Sequence, residues 1–160
     1  MTRLLWIVLR FSLCSWVGAA VLFVVTGVLQ VQTPSFDAAI KNHLAVIRFP
    51  AYYIFGFTHV GVATVAVLGL LFATRRQPAG RRALKVILGL CVAALLVMTF
   101  DYVRVYRPLE AMMLDPSGVM PSTFRGLHEW SKRLNFVSLG MCLSAGLIAV
   151  GVRDSWSAPA

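Results

Sequence analysis

Acidic side chains are scarce: 6 of 160 residues are Asp or Glu, against 15 Lys or Arg. No two acids share a helix face in a way that frames a substrate cleft, which argues against the usual paired-carboxylate chemistry. Cysteine is rarer still. Cys14, Cys91 and Cys142 each sit inside a different apolar run, with no CxxC spacing and an odd total. This argues against a disulfide framework and makes small buried packing residues the expectation. Also missing are GxSxG, HExxH and a phosphate-cradling Gly-rich loop, and there is no internal repeat or low-complexity tract. The chain therefore reads as nonenzymatic.

Apolar side chains are what it has in excess. They make up 59% of the residues, with only 13% charged, a balance foreign to soluble domains. Four stretches reach the roughly 20 residues needed to cross about 30 Å of hydrocarbon: residues 4–29, 51–74, 83–106 and 124–152. The expected fold is all-α, a single integral membrane domain built as a four-helix bundle. The first stretch carries a basic residue and small residues at Gly18, Ala19 and Ala20, as a signal peptide would. Arg10 interrupts its apolar core, however, and hydrophobicity continues to Leu29, so it reads as a retained span.

The loops bear on orientation. Arg75, Arg76, Arg81, Arg82 and Lys85 crowd one tight turn that lacks an acid, which marks it as cytoplasmic. Both termini then also lie in the cytoplasm, and the expected location is a bacterial-type inner membrane. A plain count of Lys and Arg near inner and outer ends gives seven each, so it is the density in the shortest loop that decides. Arg10 is expected to snorkel to the inner surface. The net charge of +9 suits anionic headgroups, while basic residues this scattered do not suggest nucleic-acid binding.

Both outer connections look structured. Ser35 can cap a short interfacial helix over 36–49, with Phe36, Ile40, Leu44 and Ile47 on one side and Asp37, Lys41 and Arg48 on the other. The second carries a helical turn over 108–114, a break at 115–118, and a cap at Pro121-Ser122-Thr123.

The feature that bears most on function is a polar stripe on the last span. Phe124, His128, Ser131, Asn135, Ser138 and Cys142 recur every three or four residues, so they share one helix face. That face descends into the lipid core, where polar groups are costly and need partners. His59 and Asp101 lie on other spans at compatible depths, about 13 Å and one turn from their outer ends. A candidate interior cluster then comprises His59, Asp101, Tyr102, Arg104, His128, Glu129, Ser131 and Asn135. Two readings of it stand: glue between helices with snorkelling Arg104, Glu129, Lys132 and Arg133, or a functional site.

Phe124-Arg125-Gly126-Leu127-His128, followed by Ser131 and Leu134-Asn135, resembles the "F..LH..S..LN" signature of the transmembrane-protein-205-like family, also called domain of unknown function 4149. Trp16, Gly18 and Phe23 resemble its first helix, Phe49-Pro50 and Tyr52 its "FP.Y" opening to the second, and Asp101-Tyr102 through Pro108 its polar third-helix exit. The chain departs from that pattern in a first helix without its outer proline and in an arginine-dense inner loop. The resemblance implies a four-span bundle and no settled biochemical role.

Three functional readings follow. The first is an accessory or assembly subunit of a larger membrane complex, or a self-associating one, in which lipid-facing aromatics such as Phe55, Phe57 and Phe72 meet partners. The second is cofactor or metal handling: haem between His59 and His128, or copper on Met112, Met113, Met120 and the histidines. The third is small-solute transport or proton relay through Asp101, His59 and His128.

Overall fold

The computed structural model describes residues 1–75, 80–115 and 121–152. Helix α1 spans Thr2–Gln32, α2 Ala38–Ala73, α3 Arg81–Asp101, α4 Arg107–Met113 and α5 Thr123–Gly151. A π-helical turn, Tyr102–Tyr106, joins α3 to α4 without a break. The result is an all-α bundle of four membrane spans, the third comprising α3, the π turn and α4. These spans run 31, 36, 33 and 29 residues. At about 1.5 Å per residue each exceeds the ~30 Å hydrocarbon layer and reaches through the headgroups.

Each span turns a three- and four-residue series inward. On α1 this is Trp6, Leu9, Leu13, Trp16 and Ala20; on α3 it is Leu84, Ile87, Cys91, Ala94, Met98 and Asp101. The neighbours run in a ring, α1 against α2, α2 against α3, α3 against α5 and α5 against α1. Small residues permit the close approach: Ala63 and Ala66 on α2, and Ala145 and Ala149 on α5, are all buried. At Gly56 the requirement is strict, because an added Cβ would meet Trp16 Cη2 and Met98 Cε, each at 2.6 Å.

Two expected boundaries change. The segment read as a separate interfacial helix is helical, but it forms the first turns of α2 and passes through Pro50 without ending. Pro50 has no N–H for the carbonyl four residues back, and packing of Phe49 on Phe23 and Tyr106 holds the segment to the bundle. Its cap is Asp37, whose carboxylate accepts the Ile40 N–H at 2.8 Å, and not Ser35. The third span continues to Met113, so Asp101 lies twelve residues from its end, about 18 Å and not one turn. Ser122 does stand at the start of α5, without a side-chain capping bond; the expected break at 115–118 lies largely outside the described residues.

Candidate functional site: a buried carboxyl joining three helices

Asp101 is 1% exposed in the middle of this apolar bundle. A carboxyl there is costly unless other groups take over the work of water. Three do so, all at Oδ2: the Tyr53 hydroxyl donates at 2.6 Å, Asn135 Nδ2 at 2.7 Å and the Ser131 hydroxyl at 3.3 Å. Asn135 also donates to the Ser131 carbonyl at 2.9 Å and accepts the Tyr52 hydroxyl at 3.0 Å. One carboxyl thus binds α2, α3 and α5, and the Tyr52 bond spans the diagonal of the ring. Oδ1 is buried and has no hydrogen-bond partner among the described residues.

Aromatic rings close the site toward the end at which α2 and α5 begin. Tyr53 packs against Tyr102 and Tyr106, with centroids 5.0 Å away in both cases, and Phe49 lies 5.4 Å from Tyr106. The π turn makes this closure possible. The Arg107 N–H reaches the Tyr102 carbonyl five residues back, so one extra residue rotates everything beyond it. An uninterrupted α-helix would send the inward series from Asp101 through Val105 to Pro108; with the extra residue Tyr106 is buried beside Val105, and Leu109 is buried where Pro108 is only half-buried. The Tyr106 hydroxyl then donates outward to Glu110 Oε1 at 2.7 Å. Toward the opposite end, Cys142, Ala145 and Ala149 share the core with Cys91, Ile87 and Leu84, all buried.

The predicted cluster is only partly assembled. Asp101, Ser131 and Asn135 come together, and Tyr102 borders them through its ring. Arg104 is exposed one turn outward. Glu129 is exposed and paired with Lys132 at 2.8 Å. His128 is exposed and stacks on Phe124. His59 faces Phe55, with Nδ1 2.9 Å from the Phe55 carbonyl. His59 is six residues beyond Tyr53 and His128 three before Ser131, so the two rings are offset by about 13 Å along the bundle. They do not converge on one iron. Among the described residues no group of three or more His, Cys, Asp or Glu could hold a metal. Met112 and Met113 are half-buried on α4, and Met120 lies outside the described residues. Of the cysteines, Cys91 and Cys142 are buried as expected; Cys14 is exposed.

Two arginines do more than the sequence indicates. Arg48 of α2 lies 4.6 Å over the Phe23 ring and donates to the Phe23 carbonyl at 3.0 Å, to the Thr26 hydroxyl at 2.6 Å and to Gln30 Oε1. Thr26 and Gln30 at i and i+4 were the available signal. Arg10 does not simply snorkel. It donates to the Ala149 carbonyl at 3.0 Å and the Val152 carbonyl at 3.1 Å, capping the C-terminal end of α5.

No family model, no curated protein and no solved structure matches this chain.

Proposed function

We propose that the protein is a nonenzymatic accessory or assembly subunit of a larger inner-membrane complex, with both termini cytoplasmic. The observation that carries this reading is the closed interior. The Asp101 network turns its donors inward, aromatic rings close one end, and small and aliphatic side chains fill the other. A bundle of this kind meets other molecules through its outer surface. Exposed Ile54, Phe72, Phe100, Phe136 and Leu147 offer apolar area on three of the four spans, suited to lipid and to neighbouring subunits. Membership of the transmembrane-protein-205-like proteins, on the Phe124 to Asn135 pattern, belongs to the same proposal. Photo-crosslinking side chains placed at Phe72 and Phe136 in native membranes test it. Discrete protein adducts are expected at one position or both, and exclusive capture of lipid at both would overturn it.

A second reading has one specific observation in its favour. Asp101 Oδ1 lacks a partner among the described residues, and an intramembrane carboxyl of this kind suits proton or small-solute passage. Passage requires the aromatic closure to open, and Asp101→Asn then abolishes flux in vesicles; unchanged flux eliminates this reading.

A further inference from the structure

We propose that Cys91 and Cys142 form a two-coordinate site for a soft d10 cation, Cu(I) or Hg(II), held between α3 and α5 inside the bundle. Both cysteines are 0% exposed, and the bonds at Asp101 fix their register. Asp101 accepts from Ser131 and Asn135. Cys91 lies ten residues before Asp101, and Cys142 lies eleven beyond Ser131 and seven beyond Asn135. On neighbouring spans that run in opposite directions, about 15 Å along one and about 10–16 Å along the other bring the two to the same depth. Each cysteine belongs to the buried series of its helix. Ala94 and Ala145, three residues on from them and fully buried, let the backbones approach. The two thiols are near enough to interact electrostatically.

A separate observation points to a ligand there. Trp16 is 1% exposed, and its Nε1–H is buried with no hydrogen-bond partner among the described residues. It lies beside the Cys142 sulfur without closing a hydrogen bond. A neutral thiol is a weak acceptor and leaves such a donor unsatisfied. A thiol that binds a metal is deprotonated outright, and its sulfur then becomes a charged acceptor for the indole N–H.

The donor set selects the ion. Among the described residues no group of three or more His, Cys, Asp or Glu forms, so the four ligands that Zn(II) takes are not assembled. Thiolates favour soft ions, and a d10 ion of this kind is satisfied by two sulfurs in line. Binding releases one proton from each thiol and oxidises nothing. Hg(II) then gives a neutral complex suited to an apolar interior, while Cu(I) leaves one negative charge, which the Trp16 N–H offsets.

The test uses the full chain, reduced, in mild detergent and carrying Cys14→Ser, because Cys14 is exposed and would bind these ions by itself. Hg(II), Cu(I) or Zn(II) is added with excess glutathione, and native mass spectrometry reads what the chain retains. One Hg(II) or one Cu(I) per chain is expected, at the mass of protein plus metal less two protons and with no glutathione attached. Cys91→Ala and Cys142→Ala should each weaken retention about a hundredfold, since a single thiol competes with glutathione without the benefit of a second. Trp16→Phe should weaken Cu(I) about tenfold and Hg(II) less. Thermal unfolding without metal shows that each variant is folded. Loss of both soft ions to glutathione, undiminished retention without either cysteine, or equal retention of Zn(II) would overturn the proposal.

Discussion

Asn135 Nδ2 donates to Asp101 Oδ2 across 2.7 Å, joining α5 to α3 within the buried face of the bundle. The same carboxylate oxygen takes the Tyr53 hydroxyl from α2, so the three helices are fixed relative to one another at a single atom.

Removing the carboxyl takes the acceptor from the Tyr53 and Ser131 hydroxyls and leaves Asn135 Nδ2 with the Ser131 groups alone. Asp101→Ala should therefore destabilise the bundle by about 3–5 kcal/mol, and Tyr53→Phe by about 1–3 kcal/mol. The double variant should cost less than the sum, because both changes break the same bond. Reversible unfolding in mixed micelles measures all three; strict additivity would show that the bond does not couple the helices.

Gly56 marks the place where Trp16 crosses α2. Gly56→Ala should cost about 1–3 kcal/mol through overpacking, since Trp16 and Met98 both stand 2.6 Å from the new Cβ. Trp16→Leu in the same chain should recover part of that loss. Thermal unfolding of the single and double variants checks the sign of the coupling.

Arg48 binds the C-terminal half of α1 to α2 through groups spread over two turns. Arg48→Lys should fail to restore what Arg48→Gln loses, because an ammonium cannot present the guanidinium's several donors to Phe23, Thr26 and Gln30 together. Hydrogen exchange at residues 22–32 provides the readout, with faster exchange expected in both variants.

The π turn sets which residues cover the carboxyl. Deleting Val103, an exposed residue within it, should restore α-helical phase and rotate everything beyond by about 100°. Tyr106 and Leu109 would then leave the core, and tyrosine fluorescence together with a lowered melting temperature would report it.

Much of this architecture was legible in the residues, and the reasons for the gaps are physical. Apolar runs located the spans, because length against bilayer thickness is a blunt criterion. Ser131 and Asn135 stood out because polar groups on an apolar helix must face something. Tyr53 did not, since an aromatic ring suits core, lipid and interface alike. His59 matches the cluster in depth alone, and depth says nothing about rotation around a helix. The π turn in Tyr-Val-Arg-Val-Tyr carries no Gly or Pro to announce it. Arg10 reads as a surface charge because its acceptors are backbone carbonyls, which have no sequence signature; Arg48 does so because the Thr26 and Gln30 side chains that accept from it stand on another helix.

The most direct test of the account is the native size of the protein, tagged after Ala160 and extracted from its own membranes in mild detergent, with co-purifying chains identified. Stoichiometric migration with a larger assembly is expected, and Asp101→Asn leaves it intact as long as the bundle stays folded. Migration as a lone chain with no partner in any gentle extraction would contradict it, and would make the buried carboxyl the working part of the molecule.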